Sequence, residues 1–436
     1  MRLFVGLIVV IAACVPPTTV TPPPPVNRCT APTGTGTQHD GDTITADTTW
    51  TAAGSPHVIT YTPVVKAGAT LTIEPCAVVQ INGGYGLDVE GTLSAVGDLN
   101  RHITIIGSDA ANPWTDLHVV GGFADLEYVD VSNGGGNSSP MIDVWGKSTP
   151  TRTQNARLQH VTLTNSATFG LGVERAGTLT DDSTDVTITG SKKQPMTAVG
   201  PSLAGGLPDG TFTGNGANEI LVLANDSMLE DTTWHDRGIP YRVGDTNGNG
   251  GTLKVGNNIP GALVTWTIDP GVTIRVMPAG VIAANHSTMG VMGSIVAAGT
   301  AAKPITFTAG TEAQTAGSWR GLVFEAAPAD TTMLDHVVVQ YAGGPSQADS
   351  FHCRPGSLAG YSNDENAAVA FFGQPFADVL TNSTISDSAA DGVDLAYNGD
   401  QVNLLAGNTF INVARCKLTL PRDANGGCPN PVPACP

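Results

Sequence analysis

The 436-residue sequence predicts an all-β fold in which short parallel strands stack as a solenoid. Three observations lead to this prediction. A long segment of the chain occurs twice, each copy contains a shorter internal period, and the composition is rich in glycine and poor in charge. With 53 Gly and only 13% charged residues, the chain has little material for exposed helix surfaces, so one elongated β body is favoured over several mixed domains.

The chain contains two copies of one long segment, with the matching motifs in the same order. The spacing between copies grows along the chain, as it does in repeat proteins that lengthen loops on a constant stack. We therefore predict two tandem homologous halves. The matched segments are DTTW at 47–50 and 231–234, LTIEPCAVVQI at 71–81 and WTIDPGVTIRV at 266–276, GTLSAVGDLNRHITI at 91–105 and GSIVAAGTAAKPITF at 293–307, and the tryptophans Trp114 and Trp319.

A shorter period runs inside each copy. Apolar residues that alternate with polar ones recur at Leu163, Ile188 and Phe212, at intervals of 25 and 24 residues, and again from Ile385 to Phe410 after 25 residues. Alternation places successive side chains on opposite faces of a strand. A unit of this length without a helical pattern is too short for a helical crossover, so each coil must bury its inner face against the next coil.

Three stretches resemble a known group, the bacterial right-handed parallel β-helix repeat surface lipoproteins, whose fold is that of the pectate lyase superfamily. The resemblance extends from about residue 47 to about residue 420. It implies an all-β, right-handed parallel β-helix made of two tandem halves, and it is specific for fold rather than for function. The stretches are GATLTIEPCAVVQINGGYGLDVEGTLSAVG at 68–97, ITFTAGTEAQTAGSWRGLVF at 305–324 and LDHVVVQYAGG at 334–344.

The N-terminus predicts an exported, lipid-anchored protein. After Met1 and Arg2, an apolar run continues to Ala13 and is too short to span a bilayer. It ends in Ile-Ala-Ala-Cys, which resembles a bacterial lipobox, and this resemblance implies acylation of Cys14 and anchoring by buried acyl chains. Val15 after the cysteine favours the outer membrane or cell surface. The alternative is an ordinary secretory signal followed by an unmodified cysteine.

The predicted domain organisation follows from these patterns. The Pro/Thr-rich run VPPTTVTPPPPVNR at 15–28 is expected to stay extended as a spacer between lipid and body. The predicted segments are a lipoprotein signal peptide at 1–13, the lipidated cysteine with its tether at 14–40, a first β-helix half at 41–200, a bridging coil at 201–230, a second half at 231–420, and a Cys/Pro-rich tail at 421–436.

Six cysteines remain once Cys14 is assigned to lipid, and an even number in an exported protein predicts disulfides. Six cysteines allow fifteen connectivities, and a zinc site is disfavoured because the chain has no CxxC motif. Our preferred pairing joins Cys29 to Cys76, Cys353 to Cys416, and Cys428 to Cys435.

The charge balance excludes one class of partner. With 20 basic and 38 acidic residues the formal net charge is −18, so the chain offers no basic surface for nucleic acid. Acidic polysaccharides would also be repelled unless a divalent cation bridged them.

Calcium is the candidate cation. Asp245, Asn247 and Asn249 stand at alternate positions of a DxNxNG pattern, which suits oxygen ligands around a tight turn. The closing position holds Gly256 instead of a carboxylate, and a plain Asn/Gly turn is the alternative.

The search for catalytic motifs gives weak candidates only, because the GxSxG, HExxH, P-loop and CxxC patterns are absent. Three aspartates of the second copy, Asp387, Asp391 and Asp394, have no acidic counterparts in the first copy. Carboxylates on neighbouring coils could form an acid/base pair, as in glycoside hydrolysis. The alternative is that they are solvated corners of two coils.

Two further features depart from the repeat. An insertion at 345–366 in the second copy contains His352 and Arg354, and long loops on a rigid body often carry binding residues. Trp145 has no partner in the other copy, so it is either a packing residue or an exposed platform for a sugar ring. Convergence of this insertion with the three aspartates in one cleft would favour an enzyme.

Three classes of function remain open. The leading one is a non-catalytic cell-surface lipoprotein whose β-helix binds glycans or serves in adhesion or the envelope. The second is a polysaccharide lyase or glycoside hydrolase that uses the second-half aspartates, and the third is a purely structural spacer. The expected partners are the membrane, through the anchor, and a polysaccharide or another surface component, with no cofactor except calcium.

Overall fold

The computed structural model describes residues 28–147, 152–256, 263–284, 293–346, 352–355 and 366–435. These residues form short β-strands and three short 3₁₀ helices, at Ala52–Gly54, Gly136–Ser138 and Pro201–Gly206. The predicted all-β class is confirmed. No helix in this part of the chain has the length and apolar character needed to cross a bilayer. The signal peptide, Cys14 and residues 15–27 of the tether lie outside the described residues.

The strands are two to seven residues long and are numbered in chain order. The first fourteen are β1 (Thr37–Asp40), β2 (Thr43–Ile44), β3 (Thr48–Trp50), β4 (His57–Tyr61), β5 (Val64–Val65), β6 (Thr70–Ile73), β7 (Val78–Ile81), β8 (Leu87–Val89), β9 (Thr92–Val96), β10 (Ile103–Gly107), β11 (Leu117–Val120), β12 (Phe123–Glu127), β13 (Val129–Ser132) and β14 (Ile142–Trp145). The next fourteen are β15 (Thr153–Gln159), β16 (Thr162–Thr164), β17 (Leu171–Glu174), β18 (Gly177–Leu179), β19 (Val186–Thr189), β20 (Met196–Ala198), β21 (Gly210–Thr211), β22 (Ile220–Leu223), β23 (Asp226–Met228), β24 (Thr232–Trp234), β25 (Tyr241–Gly244), β26 (Thr252–Val255), β27 (Val264–Ile268) and β28 (Thr273–Val276). The last thirteen are β29 (Val281–Ala284), β30 (Gly293–Ala298), β31 (Ile305–Ala309), β32 (Gly321–Phe324), β33 (Met333–Asp335), β34 (Val337–Gln340), β35 (His352–Cys353), β36 (Ala367–Phe371), β37 (Leu380–Thr381), β38 (Thr384–Ser386), β39 (Asp391–Leu395), β40 (Thr409–Ile411) and β41 (Leu420–Pro421).

Successive strands enter different sheets in turn, and over most of the chain a strand pairs in parallel with the strand three places later. The 8-stranded sheet has the order β1-β4-β7-β10-β13-β16-β19-β21, and the 14-stranded sheet runs β2-β5-β8-β11-β14-β17-β20-β22-β25-β28-β31-β34-β38-β40. The first 6-stranded sheet is β18-β15-β12-β9-β6-β3, the second is β23-β26-β29-β32-β36-β39, and the 5-stranded sheet is β24-β27-β30-β33-β37. Such stacks of parallel strands fit a parallel β-helix.

The short period predicted from the sequence is the step between hydrogen-bonded strands. Leu163 of β16 pairs with Ile188 of β19, and Ile385 of β38 pairs with Phe410 of β40. In the 8-stranded sheet the chain of partners continues from Leu163 back to Val131 and Ile105, and all of these except Phe410 are at most 1% exposed. Each such side chain contributes about 1.5–3 kcal/mol when it is removed from water, so the inner column is the main source of stability.

The strand ends turn through left-handed backbone positions that also stack. Asn133, Asn165 and Gly190 have φ of 61°, 59° and 71°, and each follows the strand of its own coil. The amides of Asn133 and Asn165 donate to the carbonyls of the next coil, at Thr164 and Thr189. Asn and Gly tolerate this conformation better than branched residues, which explains their place at the corners.

The matched motifs of the two copies adopt matched local pairings. Trp50 of β3 pairs with Ile73 of β6, and Trp234 of β24 pairs with Ile268 of β27 in the same register. The indole nitrogens of Trp114 and Trp319, both fully buried, each donate to a backbone carbonyl 2.9 Å away, at Ser132 and Gln340. The sheets are not equivalent, however. β4 follows Trp50 into the 8-stranded sheet, whereas β25 follows Trp234 into the 14-stranded sheet.

The junction between the two sets of sheets is bridged by one arginine and one continuous sheet. The 8-stranded and first 6-stranded sheets end at β21 and β18, and the 14-stranded sheet continues. Arg152 donates to the Glu230 carboxylate at 2.6 Å, to the Ser202 carbonyl at 3.1 Å and to the Asp231 carbonyl at 2.7 Å. It thereby ties the end of the first set of sheets to the start of the second.

Three disulfides are present, and only one follows our preferred pairing. Cys29 joins Cys76 as predicted, with Cα atoms 5.1 Å apart. The predicted pairs Cys353–Cys416 and Cys428–Cys435 are wrong. The chain forms Cys353–Cys428 and Cys416–Cys435 instead, with Cα separations of 5.6 and 5.2 Å. The reason is the antiparallel pairing of β35 with β41, which folds the tail back across Cys353 and brings Cys428 to it.

Candidate functional site

The structure brings two of the three candidate aspartates together but leaves the third apart. Asp391 and Asp394 both lie in β39, whose five residues are all buried, and each is 0% exposed. Asp387 follows β38 in a left-handed position with φ of 53°, and its Oδ1 atom accepts a hydrogen bond from the side-chain amide of Asn412 at 2.9 Å. It therefore forms part of a corner, as the alternative interpretation proposed.

Residues of the 345–366 insertion cover the two buried aspartates. The His352 Nδ1 atom lies 3.0 Å from an Asp394 carboxylate oxygen, and Arg354 Nε donates to His352 Nε2 at 3.0 Å. Since Nε2 accepts a hydrogen bond, the imidazole proton belongs on Nδ1, where it is donated to Asp394. Arg354 Nε also lies 3.7 Å from Asp391 Oδ2. We call these four residues the buried acid cluster.

Two further hydrogen bonds to the aspartates come from neighbouring residues of the fold. The Cys416 amide donates to Asp391 Oδ1 at 2.9 Å, and the Thr419 hydroxyl donates to Asp394 Oδ1 at 2.8 Å. Burial raises the pKa of Asp391 to about 6, with a further contribution from the Asp394 charge. Because both carboxylates are fully enclosed, their geometry favours a structural role over a binding site that a polysaccharide could reach.

The calcium candidates form a hydrogen-bonded turn. Asp245 Oδ1 accepts the amides of Asn247 and Asn249, both at 2.8 Å, and Asp245 Oδ2 accepts the Asn249 side-chain amide at 2.8 Å. These bonds from Asn249 and its neighbours lower the pKa of Asp245. Across the described ranges no group of three or more His, Cys, Asp and Glu side chains is placed to hold a metal ion. The geometry matches the turn interpretation.

A different group of polar residues lies on the outer face of the 14-stranded sheet. Asp88, His118, Asp143, Gly172 and Thr197 are consecutive partners in the strand register, on β8, β11, β14, β17 and β20. They therefore stand in one row across the sheet, about 4.8 Å from strand to strand. Polar side chains are ordinary on an outer face, but Asp143 of this row is buried, so its surroundings are a candidate site.

The row is held together by contacts with Trp145. The Trp145 indole nitrogen donates to Asp143 Oδ2 at 2.9 Å, and the His118 ring meets the indole edge-on at 4.4 Å. The Arg175 guanidinium lies 3.7 Å above the indole ring. His118 Nδ1 is 3.6 Å from the Asp88 carboxylate. Trp145 is thus half-buried and its ring is engaged, which favours a positioning role over an open sugar platform.

Three carboxyl groups in or beside this row, those of Asp143, Glu174 and Asp116, have raised pKa values that favour their neutral forms. Burial raises the pKa of Asp143 to about 7, and the nearby Glu174 charge adds to this effect. Burial also raises the pKa values of Glu174 and Asp116. For His118, burial opposes protonation, but the Asp88 hydrogen bond and the charges of Asp116 and Asp143 outweigh it and raise the pKa. Such perturbed groups beside a cavity are typical of functional sites.

Asp143 and Glu174 border a cavity of about 260 Å³, which we call the acidic pocket. Gly172 keeps it open, because a Cβ atom there would come within 2.5 Å of the Pro140 side chain and 3.0 Å of Asp143 Oδ1. The aromatic ring of Phe169 contributes an apolar side. The lining includes Asn137, Ser138, Ser139, Asp143, Phe169, Gly172, Glu174 and Thr197.

Sequence reasoning did not identify the acidic pocket, although a signal for it exists. The strands β8, β11 and β14 each read as an apolar residue, a charged residue and valine, in Leu-Asp-Val, Leu-His-Val and Ile-Asp-Val. The middle residue of each strand is the one that faces outward. A search for charges that recur at outward positions of successive coils would therefore have found Asp88, His118 and Asp143 together.

A wider depression of about 890 Å³ lies at the junction between the two sets of sheets, bordered by Arg152, Asp231 and His235. These three side chains already bind other parts of the fold. Arg152 binds the junction as described, Asp231 accepts the Thr265 amide at 2.8 Å, and His235 lies 2.8 Å from the Asp269 carboxylate. We therefore interpret this depression as the structural boundary between the two sets of sheets.

The chain matches no protein-family model, and no curated protein or solved structure is similar to it. We therefore infer function from the geometry of the acidic pocket and the buried acid cluster.

Proposed function

We propose that the chain is a bacterial surface lipoprotein, anchored through Cys14, whose scaffold binds a neutral glycan in the acidic pocket without turning it over. The scaffold is a right-handed parallel β-helix made of two tandem homologous halves, of the kind found in the pectate lyase superfamily. The body stands away from the outer membrane on the Pro/Thr-rich tether.

The tandem halves are supported by equivalent environments at equivalent residues. Trp50 and Trp234 share a pairing register, and Trp114 and Trp319 share a buried indole-to-carbonyl bond. Chance similarity of sequence would not reproduce both the register and the hydrogen bond. The second half continues the stack with its strands assigned to neighbouring sheets, as the change of sheet after Trp234 indicates.

The observation that supports glycan binding is the set of groups around the acidic pocket. Sugar hydroxyls both donate and accept hydrogen bonds, so they suit a carboxyl group such as Asp143, which is partly protonated near neutral pH. Hydroxyl and amide side chains of Ser139, Thr197 and Asn137 supply further partners beside the Phe169 ring. The cavity of about 260 Å³ lies just below the roughly 300–1,000 Å³ of typical small-molecule sites and suits a single sugar ring.

A non-catalytic role is favoured over the second-half enzyme because Asp391 and Asp394 are fully enclosed and Asp387 lies apart. The alternative function is a lyase or hydrolase that works in the acidic pocket itself. Asp143 favours this alternative, since a carboxyl group with a pKa of about 7 beside a second carboxyl group resembles the acid and base of glycoside hydrolysis.

The test is calorimetric titration of neutral oligosaccharides into the full chain carrying Cys14→Ser, which prevents acylation. We expect Gly172→Leu to weaken binding about tenfold because the new side chain fills the cavity. We expect Glu174→Gln to weaken binding by a similar factor, the usual effect of losing one charged hydrogen bond. The matched control is Asp130→Asn on the 8-stranded sheet. Equal affinities for all variants would contradict the proposed site.

Product analysis separates the two functions. Oligosaccharides incubated with the protein should be recovered intact. Reducing-end or unsaturated products that disappear in Asp143→Asn would replace the binding function with the enzymatic one.

A further inference from the structure

A second groove lies on the outer face of the second 6-stranded sheet and has a volume of about 420 Å³. Its floor follows one register row, from Lys254 through Ala283 and Val323 to Ala370, and the next residue of the row, Asp394, lies beyond the groove in the buried acid cluster. Ala283 and Ala370 are only 2% exposed, and Phe372 borders the same space. The small side chains make the floor low and apolar, in contrast to the charged row of the 14-stranded sheet.

The row beneath this groove corresponds in the second copy to the charged row of the 14-stranded sheet in the first. Both rows cross the strand that follows a matched tryptophan, β11 after Trp114 and β32 after Trp319, and they align residue by residue along the repeat. The corresponding pairs are Asp88 and Ala283, His118 and Val323, Asp143 and Ala370, and Gly172 and Asp394. One position of the scaffold therefore presents two surfaces of opposite chemical character.

Two cations border the groove without ion-pair partners among the described residues. They are Lys254 at the start of the row and Arg320 just before β32. Arg320 Nε is buried and has no hydrogen-bond partner in the described part of the chain. In a chain of formal charge −18, most arginines find a carboxylate, as Arg157 does with Asp125. Unpaired cations beside an apolar floor complement an anion that carries an apolar body.

We propose that this groove binds an alkyl carboxylate, such as a medium-chain fatty acid anion. The carboxylate pairs with Arg320 and Lys254, and the chain lies along Ala283, Val323 and Ala370. A planar guanidinium binds a carboxylate through two parallel hydrogen bonds, which suits Arg320 for the main contact. Glu325 follows β32 whereas Arg320 precedes it, so the ligand carboxylate is expected at the Arg320 end of the groove, away from the Glu325 charge.

The test uses the full chain with Cys14→Ser and titrates dodecanoate below its micelle concentration. We expect dodecanoate to bind, acetate and dodecyltrimethylammonium not to bind, and the Arg320→Gln, Lys254→Gln double variant to lose about tenfold or more in affinity. Val323→Asn, at a half-exposed floor position, should weaken dodecanoate binding by shortening the apolar contact. The matched control is Lys303→Gln, whose ammonium group pairs with Asp236 elsewhere.

Circular dichroism and melting temperature establish that each variant is folded before its affinity is compared. No binding of dodecanoate, equal binding of the cationic amphiphile, or an unchanged affinity of the double variant would each overturn the proposal. Glycan binding at the acidic pocket should be unaffected by these variants, so failure here leaves the function proposed above intact.

Discussion

Burial acts differently on the two groups of carboxylates. Asp143 lies in the outer row of the 14-stranded sheet, where it accepts a hydrogen bond from the Trp145 indole and borders the acidic pocket. Asp391 is enclosed with a histidine, an arginine and a second carboxylate. Both pKa values are raised, but only Asp143 borders an open cavity. Accessibility, rather than the shift itself, therefore distinguishes the functional candidate.

The pKa of Asp143 predicts a pH-dependent stability. Its pKa of about 7 in the folded state lies above the roughly 3.9 of an unfolded chain, so between these pH values the folded state binds the proton and the unfolded state releases it. The contribution of this group to stability is therefore highest below about pH 4 and falls as pH rises to about 7, by up to about 4 kcal/mol. Asp143→Asn should remove this fall. In urea unfolding, the gain of the variant over the parent should be larger at pH 8 than at pH 4.

An equal difference between variant and parent at both pH values would contradict this prediction. Asp130→Asn serves as the control, since Asp130 is half-exposed and bonded to His102 at 2.9 Å.

At the scale of the element, the inner face of each coil could be predicted from local sequence signals, whereas the outer row is recognised only when the strands of successive coils are compared. Leu163 and Ile188 reveal the coil length because alternation and spacing are local signals. Asp88, His118 and Asp143 meet only through the lengths of whole coils, which no local motif records. The predicted pairing of the tail cysteines was wrong for a related reason, since the antiparallel pairing of β35 with β41 has no counterpart in the repeat.

The matched tryptophans provide a test of the duplication. Trp114→Phe and Trp319→Phe should each destabilise the fold by about 1–3 kcal/mol, because each leaves a buried carbonyl unsatisfied and a gap beside the ring. We expect the two values to agree within about 1 kcal/mol, the spread that context gives to such effects. Denaturant unfolding followed by circular dichroism measures both. Markedly different values would argue against equivalent environments.

The Cys353–Cys428 disulfide and the β35–β41 pair form a strap over the buried acid cluster. The Cys353→Ser, Cys428→Ser double variant should lose about 2–4 kcal/mol, the usual contribution of a native disulfide. Limited proteolysis should then cut the tail after β41 before the rest of the chain. The Cys29→Ser, Cys76→Ser variant is the control and should leave the tail protected. Uniform cleavage in both variants would show that the strap has no local role.

At the scale of the whole molecule, we propose that an acyl anchor on Cys14 attaches the protein to the membrane. Cys14→Ser should move the protein from the detergent phase to the aqueous phase in a phase-partitioning assay, because the lipobox supplies the predicted attachment. A neighbouring substitution, Val15→Ala, should leave partitioning unchanged. Detergent-phase recovery of Cys14→Ser equal to that of the parent would refute lipidation.

The 14-stranded sheet gives the molecule a fixed measure of length. Its fourteen strands are separated by thirteen spacings of about 4.8 Å, or roughly 60 Å from β2 to β40. The acidic pocket begins at the fifth strand, so it has a set height above the first coil. Adding or deleting one coil would shift everything beyond it by a single such step. The sheet thus sets distances along the molecule in whole coils, because adding or deleting a coil changes the length by one spacing and leaves the outward surface of every other coil unchanged.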